Sequence, residues 1–283
     1  MANARAVSRK ISNVVFVGFC TVAAAIALTV LTLILYSLLE KGLGGLNLDV
    51  FTLSTPAAGS RGGLANAITG SLMMCAFAMV IALFIGVLSG TWLAEFGGES
   101  LYAKLIRFVN DILLSAPSIL IGLFVYQIAV SISARHAYSG FSGAVALALI
   151  AIPVITRTTE DVLKLQPTAL RESGIALGTP IWTTIRKILW RSASAGLVTG
   201  ALLAFARISG ETAPLIFTAF GNQFFNWDMT KKMASLPKVI YDDALSAYDD
   251  LIRLAWVGAV LITFAVLATQ IIARVVIRGN RGR

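Results

Sequence analysis

Long stretches without charged residues alternate with short charged segments along the chain. A helix that crosses about 30 Å of hydrocarbon needs roughly 20 mostly apolar residues, and six stretches are long enough to supply them. These are Ile11 to Leu39, Gly62 to Ala94, Ile112 to Ala134, Ala137 to Thr156, Ser192 to Phe220 (interrupted only by Arg207 and Glu211) and Leu254 to Ala273. The pattern therefore predicts an all-α integral membrane protein with six transmembrane helices.

The first apolar stretch has some features of a secretory signal peptide. Basic residues precede it (Arg5, Arg9 and Lys10), and it contains the small residues Ala23-Ala24-Ala25. A cleaved signal has an apolar region of about 7–15 residues. This stretch continues without charge to Leu39, so its length favours an uncleaved first transmembrane helix.

The distribution of Lys and Arg predicts the orientation, because positively charged loops stay in the cytoplasm. With the N-terminus inside, 15 Lys and Arg residues fall on the cytoplasmic side and 7 on the opposite side, while the acidic residues divide 6 to 7. The net charge of +9 then lies entirely inside. We expect both termini to be cytoplasmic, with basic loops near membrane lipid, and the charge requires no nucleic-acid partner.

Composition excludes several classes of protein. Hydrophobic residues make up 57% of the chain and charged residues 13%, far from the balance of a soluble domain. One histidine, His136, and two cysteines, Cys20 and Cys75, are too few for a His/Cys metal site. The sequence also lacks the Gly-x-x-x-x-Gly-Lys-[Ser/Thr] motif that holds ATP phosphates and any Ser/His/Asp or Cys/His set. We therefore expect a protein that is not an enzyme and binds no cofactor or metal.

The spacing of the apolar stretches divides the chain into two parts. Residues 1–63 form a cytoplasmic tail, the first helix and a Gly-rich outer loop. Residues 64–283 form a core of five helices with a cytoplasmic loop at about 157–191 and an outer loop at about 220–253. Within the core, Gly86-x-x-x-Gly90 and Gly196-x-x-x-Gly200 permit close approach of helix backbones. Packing inside the chain is favoured over a dimer face.

The third apolar stretch contains a proline where a helix is expected. Ser115-Ala116-Pro117-Ser118 lies one turn past Asp111, and a proline inside a helix removes a hydrogen bond and produces a kink. A packing kink with Ser115 and Ser118 bonded to the backbone is the simpler interpretation. The alternative is that both hydroxyls face a polar pathway.

The cytoplasmic loop has the pattern of a helix, a turn and a second helix. Pro167 suits the first turn of a helix over Thr168 to Leu177, and Gly178 favours the left-handed conformation that ends it. Thr179 is a candidate N-cap with Pro180 at the first position of a second helix, which runs to Trp190. An interfacial helix on lipid would explain the second helix. A docking surface for a soluble partner explains the first helix better.

The residues of this loop resemble a known motif. Glu172-Ser173-Gly174-Ile175-Ala176-Leu177-Gly178, followed ten residues later by Ile188, is similar to the EAA loop of ABC-importer permeases of the MetI-like type. Ser173 and Gly174 stand where that family usually has alanines, and Trp190-Arg191 replaces a usual proline. The resemblance implies that the loop is a coupling helix that docks on a cytoplasmic ATPase, with Arg171, Glu172, Gly178 and Ile188 as coupling residues.

A second segment narrows the resemblance. Ala206-Arg207-Ile208-Ser209-Gly210-Glu211-Thr212-Ala213-Pro214, with Gly221-Asn222-Gln223-Phe224-Phe225 close behind, resembles the phosphate-specific permeases of this family. Similarity extends from about Leu64 to the C-terminus. The resemblance implies a multi-pass protein of a bacterial inner membrane that works with a second permease subunit, two ATPase subunits that use ATP and Mg²⁺, and an external phosphate-binding protein.

Arg207 and Glu211 are the candidate residues of the substrate pathway. A charge at mid-bilayer costs at least ~2.5–3.5 kcal/mol on insertion scales, and such residues usually mark a pathway. At i and i+4 of one helix they would share a face and form an ion pair, which could also be purely structural. Because guanidinium binds phosphate oxygens as a fork, Arg207 suits an anion route, and Glu211 would balance it or act as a gate.

The outer loop combines aromatic residues with two acidic pairs. Its aromatic residues are Phe224, Phe225, Trp227, Tyr241 and Tyr248, and its pairs are Asp242-Asp243 and Asp249-Asp250. An aromatic belt at the membrane surface with helix capping is favoured. The alternative is a docking surface for a binding protein.

Three other functions remain open from the sequence. The same architecture could carry another oxyanion, such as sulfate or molybdate. A secondary transporter could use Glu211 as a proton carrier, but such folds usually contain two repeated halves, which this chain lacks. A scaffold or sensor without flux would have no use for Arg207 and Glu211 in a membrane helix.

Overall fold

The computed structural model describes residues 2–133 and 137–280. Arg135 and His136, which the sequence places in an outer loop, lie outside these residues. The helices are α1 (Ala2–Leu43), α2 (Asp49–Thr52), α3 (Ala65–Trp92), α4 (Leu101–Ser115), α5 (Ser118–Ser133), α6 (Gly140–Lys164), α7 (Thr168–Ala176), α8 (Ile181–Thr184), α9 (Trp190–Ser192), α10 (Ser194–Ser209), α11 (Ala213–Thr218), α12 (Leu236–Ala244) and α13 (Asp249–Asn280). Two π-helical segments, Leu93–Gly97 and Ile185–Leu189, continue α3 and α8.

Four of the described helical segments are long and apolar enough to cross a membrane: Arg9–Leu43, Ala65–Gly97, Gly140–Lys164 and Asp249–Ile272. Two further pairs of helices are apolar enough together but are bent, as in a broken span or a re-entrant loop. Leu101–Ser115 and Ser118–Ser133 meet at 109°, and Ile181–Ser192 and Ser194–Ser209 meet at 74°. If each bent pair counts as one span, the total is six. The described residues form no named strand, which confirms the prediction of an all-helical membrane protein.

The third predicted helix differs from the structure at its start. Instead of a kinked helix from Ile112, the chain ends α4 at Ser115 and turns through 109° before α5 begins. The cause is Pro117, because a proline disfavours the helical conformation of the residue before it, and Ala116 is extended at ψ 137°. Helix α4 therefore lies across the direction of α5.

The fifth predicted helix is also interrupted. Helix α10 ends at Ser209, and α11 begins at Ala213 with Pro214 in its first turn. A continuous helix would place the ring of Pro214 against the carbonyl of Gly210, whereas a proline near a helix start needs no hydrogen bond. The prediction that Arg207 and Glu211 lie on one helix is wrong, because Glu211 belongs to the break.

Helix α6 lies at the centre of the bundle, and the helices that carry the two glycine motifs both pack against it. A Cβ on Gly90 would lie 2.5 Å from the carbonyl oxygen of Thr156. A Cβ on Gly200 would lie 2.6 Å from Cγ2 of Thr158, on another face of the same helix. Helices α3 and α10 thus approach α6 closely because they carry glycine there. The prediction that these motifs pack within the chain is confirmed.

Among the described side chains, helix α1 contacts the rest of the chain only near its C-terminal end. A Cβ on Gly42 would lie 2.2 Å from Cγ2 of Val260, and the Nζ of Lys41 lies 5.0 Å from the ring centroid of Trp256. Residues 9–36 are exposed along their whole length. This apolar surface is left to lipid or to another subunit.

The outer loop folds back onto the outer ends of α3 and α6. The backbone N–H groups at the start of α6 donate to this loop, from Gly140 to the carbonyl of Lys231 at 3.0 Å and from Phe141 to that of Met229 at 2.9 Å. The N–H of Leu236 donates to Oγ of Ser71 at 2.7 Å. The loop thus forms a cap that is hydrogen-bonded to the N-terminal parts of α3 and α6.

Candidate functional site

The first cytoplasmic helix is ended by glycine, as the sequence predicts. Helix α7 follows Pro167, and Gly178 adopts φ +69°, a conformation that side chains strain. The N–H of Gly178 donates to the carbonyl of Ile175 at 2.9 Å. This hydrogen bond satisfies one of the carbonyls left free at the end of the helix.

The second cytoplasmic helix begins one residue later than predicted. The N-cap position is Pro180, and Thr179 instead donates its hydroxyl hydrogen to the carbonyl of Gly174 in the preceding helix. A Cβ on Gly174 would lie 2.5 Å from Thr184. The absence of a side chain at Gly174, where the family usually has alanine, therefore lets the two helices pack closely.

The surface of this helix–turn–helix is apolar and exposed. Ile175, Leu177, Ile181 and Trp182 are between 48% and 81% exposed. Glu172 is exposed on the same unit and has no ion pair or side-chain hydrogen bond to the described residues. Gly178 is also exposed, whereas Ile188 is half-buried. An apolar projection with one free carboxylate is suited to docking on another protein.

Arg171 points inward, away from this exposed surface. Its guanidinium donates to both carboxylate oxygens of Glu95, at 2.8 and 2.6 Å, and to the backbone carbonyls of Gln166 and Leu163, both at 2.9 Å. The side chain of Glu95 is only 8% exposed. The hydrogen bonds to Glu95 raise the pKa of Arg171 above its ordinary value. Of the predicted coupling residues, Arg171 thus has a clear internal partner.

A second set of charges lies at the same level of the bundle. The Nε of Arg107 in α4 lies 2.8 Å from Oε1 of Glu160 in α6, and the Nζ of Lys164 lies 2.6 Å from the same oxygen. Arg107 also donates to the carbonyl of Gly98 at 3.2 Å. Sequence reasoning missed Glu95, Arg107 and Glu160 as partners. For Glu95 the sequence did contain a signal, because this acidic residue comes directly after an apolar stretch. It also falls at the end of the helices where most of the arginines are predicted.

Arg207 and Glu211 lie at the break between α10 and α11. Arg207 is in the last turn of α10 and is exposed, and Glu211 is half-buried between the two helices. Among the residues that the structure describes, neither side chain makes an ion pair within 4.0 Å or a hydrogen bond. The predicted ion pair between them is therefore wrong, because the break removes the i, i+4 geometry on which it depends.

The two serines near Pro117 differ in their surroundings. The hydroxyl of Ser115 donates to backbone carbonyls of its own helix, those of Asp111 and Ile112, each 3.0 Å away. Ser118 is half-buried, and it lies one turn before Gly122 on the same face of α5. A Cβ on Gly122 would lie 2.6 Å from the Cα of Pro214. Ser118 is therefore on the side of α5 that faces α11, near the break.

The acidic pairs of the outer loop are largely engaged within the chain. Asp242 pairs with Lys238, and Oδ2 of Asp250 accepts a hydrogen bond from the N–H of Gly59 at 2.7 Å. Asp243 is 8% exposed, and its Oδ2 has no hydrogen-bond partner. Burial, together with the charges of Asp242 and Asp250, raises the pKa of Asp243 to about 6. Asp249 is exposed, as are two aromatic side chains of the loop, Phe224 at 78% and Trp227 at 67%.

Known proteins that resemble this chain are membrane components of transport systems. The family described as "binding-protein-dependent transport system inner membrane component" matches residues 82–282. The phosphate transport system permease protein PstA of Haemophilus influenzae is 50% identical over 272 residues, which cover 96% of each chain. PstA of Pasteurella multocida is 50% identical over 275 residues, covering 97% of this chain and 98% of that protein.

A solved structure shares the fold. A chain of the MetNI methionine ABC transporter in an inward-facing conformation superimposes with a TM-score of 0.61 and 21% sequence identity. The match covers 76% of this chain and 95% of the MetNI chain. At this level of identity the similarity concerns the fold alone.

Proposed function

Because this chain belongs to the family of binding-protein-dependent transport system inner membrane components, we propose that it is the permease subunit of an ATP-driven importer that moves inorganic phosphate into the cytoplasm. The observation that carries the proposal is its 50% identity, over 96% of both chains, to the phosphate transport system permease PstA. The apolar spans and the helical fold support the same assignment.

The energy for transport comes from another subunit in this proposal. The chain has no phosphate-binding loop for ATP, so ATP and Mg²⁺ are bound by two ATPase subunits that dock on the cytoplasmic side. A second permease subunit of similar fold completes the pathway, and an external phosphate-binding protein delivers the substrate. The exposed apolar surface of residues 9–36 offers contact area for lipid and for the second permease.

Docking on the ATPase uses the exposed coupling helix. Glu172 supplies the free carboxylate, and Ile175 and Leu177 supply apolar contact next to the turn at Gly178. Ile188 is half-buried in the π-helical segment that follows α8. Arg171 takes part indirectly, through its bonds to Glu95.

The substrate pathway passes the break between α10 and α11. An unpaired arginine and an unpaired glutamate in a membrane helix region require an outside partner, because a bare charge in hydrocarbon costs several kcal/mol. A phosphate anion passing through a water-filled route is a suitable partner for Arg207, whose fork matches its oxygens. Glu211 then balances Arg207 or pairs with an arginine of the second permease. Ser118 lies on the face of α5 that is turned towards this break.

Transport in proteoliposomes tests the proposal. The chain, its second permease and the ATPase subunits are reconstituted together, loaded with ATP, and supplied with the binding protein and radioactive phosphate. We expect uptake that requires ATP, persists with a protonophore, and is not competed by sulfate or molybdate. Inhibition by either of those anions would reassign the substrate, and uptake driven by a proton gradient without ATP would reject the ATP-driven mechanism.

The orientation has a separate test. We propose that both termini lie in the cytoplasm of a bacterial cell with the chain in the inner membrane, as the excess of Lys and Arg favours. An impermeant thiol reagent should label Trp227→Cys in intact cells and should not label Thr168→Cys. The reverse pattern, or a reporter after Arg283 that is active only outside the cytoplasm, would contradict this orientation.

A further inference from the structure

One guanidinium at the cytoplasmic end of the bundle joins three helical elements. Arg171 belongs to the coupling helix α7, and its Nη2 and Nε bond both oxygens of Glu95, in the π-helical segment that extends α3. Its Nη1 and Nη2 also bond the carbonyls of Gln166 and Leu163, at the end of α6. These bonds fasten α7 to the ends of the two helices that form the centre of the bundle.

The chemistry at both ends of this contact suits an arginine. The carbonyl of Leu163 at the end of α6 accepts the N–H of Gln166 at 3.1 Å and the guanidinium of Arg171 as well, and the negative end of a helix favours a cation. Glu95 is 92% hidden from solvent as a side chain, and a buried carboxylate is costly unless it is paired and hydrogen-bonded. A lysine could satisfy either the carboxylate or the carbonyls, but it lacks the planar fork that reaches both.

Helix α7 has few other attachments to the bundle. Gly174 is its only buried residue, and it contacts Thr184 of the second cytoplasmic helix. Leu170 is partly buried against the small apolar cluster that contains Leu163, Ile185, Leu189 and Ala193. The remaining apolar side chains of the turn point outward. The direction of α7 relative to α3 and α6 therefore depends strongly on the contact between Arg171 and Glu95.

Buried ion pairs often add little net stability compared with apolar groups, and fixing one arrangement is a better attested role. We propose that Glu95 and Arg171 form a positioning pair that locks the coupling helix to α3 and α6, so that movement of α7 by the ATPase is passed to these two helices. This inference rests on the proposed function, because it assumes that α7 docks on an ATPase.

The chain offers matched controls for this pair. Glu99 lies four residues after Glu95, and its contact with Lys104 at 3.3 Å is exposed, with the Glu99 side chain 90% accessible. Lys104, the partner of Glu99, lies in α4 outside the helix–turn–helix, and its side chain is 59% accessible. Neutralising either control residue removes a charge from the same region without breaking the contact between α7 and α3.

The test compares Glu95→Gln, Arg171→Gln and the double variant in the complete transporter in proteoliposomes with phosphate-binding protein. The quantity measured is phosphate imported per ATP hydrolysed, together with the amount of bound ATPase. We expect each single variant to retain the ATPase and to lose about tenfold or more in phosphate per ATP, within the range of measured couplings between sites. The double variant should lose no more than the worse single variant, because the two residues act as a unit. Glu99→Gln and Lys104→Gln should match the wild type.

Two results would overturn the positioning role. If the single variants reduce only the amount of assembled transporter, and the remaining complexes import normal phosphate per ATP, the pair is merely structural. If the losses of the two single variants multiply in the double variant, the residues act independently. Should the Gln variants fail to assemble, Arg171→Lys provides the same measurement, and wild-type coupling in that variant would also reject the proposal.

Failure of the positioning pair can be distinguished from failure of the proposed function. A wild-type complex that hydrolyses ATP without importing phosphate would reject phosphate import alone. In that case the pair is tested by the increase in ATP hydrolysis on adding the binding protein, which should be lost in Glu95→Gln and kept in Glu99→Gln. An equal increase in both variants would reject the positioning pair.

Discussion

Two charged regions of this chain are built in opposite ways. At the C-terminal ends of α3 and α6, buried acids meet arginines within the chain: Glu95 meets Arg171 at 2.6 Å, and Glu160 meets Arg107 at 2.8 Å. At the break between α10 and α11, Arg207 and Glu211 have no ion pair with any described residue, although they lie four positions apart.

The difference indicates which region is complete in a single subunit. Paired and hydrogen-bonded charges can be buried at small net cost, whereas an unpaired charge in a membrane requires water, an ion or another protein. The charges of Glu95 and Glu160 are therefore balanced within this chain. The region around Arg207 needs an outside partner, as a substrate pathway between two permeases would provide.

Replacement of Arg207 should have the largest effect on transport. Arg207→Gln removes the charge and the fork, so phosphate uptake should fall by about a hundredfold or more, as for loss of a desolvated charge contact, while the ATPase subunits still assemble. Arg207→Lys should not restore full uptake, because an ammonium lacks the bidentate geometry. Radioactive phosphate uptake per assembled complex is the measurement.

A double variant then tests the absence of an internal ion pair. Because the structure separates Arg207 from Glu211, Arg207→Gln with Glu211→Gln should remain as inactive as Arg207→Gln alone. Glu211→Gln alone should lower uptake less or make it leaky. If the double variant recovered phosphate uptake, the two residues would be a packing device, since neutral replacement of both members of a buried pair is often tolerated.

Charge reversal at Glu172 should have the second-largest effect on phosphate uptake. In contrast to Arg171, this residue is exposed and unpaired within the described chain, so Glu172→Lys places a wrong charge on the docking surface without disturbing the fold. Uptake should fall by about tenfold or more through loss of complementary contacts, with normal insertion and reduced ATPase in pull-downs. The matched Glu99→Lys change, at an exposed acid outside the coupling helix, should leave both unchanged.

A methyl group added at the glycine motif of α3 should lower the stability of the bundle more than it lowers transport. A methyl group at Gly90 would meet the carbonyl oxygen of Thr156 at 2.5 Å, so Gly90→Ala should destabilise the bundle by ~2–3 kcal/mol, as overpacking does. Thermal unfolding of the purified protein in detergent measures this. Gly18→Ala in the exposed part of α1 has open space around it, and an equal loss there would argue against the packing explanation.

The smallest expected effect concerns a third charged region, the outer cap. Burial and two neighbouring carboxylates raise the pKa of Asp243 to about 6 from its ordinary 3.8, so the folded state holds this proton more tightly than the unfolded state. Stability should therefore fall as the pH rises from about 4 to 6 and stay lower above that range. Asp243→Asn should remove this dependence and stabilise the protein by ~1–2 kcal/mol at pH 8.

Thermal unfolding between pH 4 and 8 decides this prediction. The Asn variant should match the wild type near pH 4, where Asp243 is protonated, and exceed it at pH 8. Asp249→Asn, at an exposed position next to the cap, is the control and should preserve the pH dependence. Equal stability of wild type and Asp243→Asn at pH 8 would contradict the cost assigned to the buried carboxylate.

Features that depend on neighbouring residues could be predicted from the sequence. The apolar stretches follow from the thickness of a membrane, and the end of α7 at Gly178 follows from the conformational freedom of glycine. The close packing at Gly90 and Gly200 follows from the size of glycine. That both glycines pack against α6 could not be predicted from the sequence. The family could also be predicted from the sequence, because the chain is 50% identical to a known permease over nearly its full length.

Features that join distant parts of the chain required the tertiary structure. Glu95 and Arg171 are separated by 76 positions, and only the packing of α3 against α6 brings the carboxylate beside the coupling helix. The i, i+4 spacing of Arg207 and Glu211 predicts a pair only in a continuous helix, and the chain instead breaks at Gly210 ahead of Pro214. The sequence alone determined the apolar spans, the glycine turn and the charges available, because these depend on local composition and spacing. Which charges meet was decided by the tertiary structure, because an ion pair depends on the distance between two side chains in space.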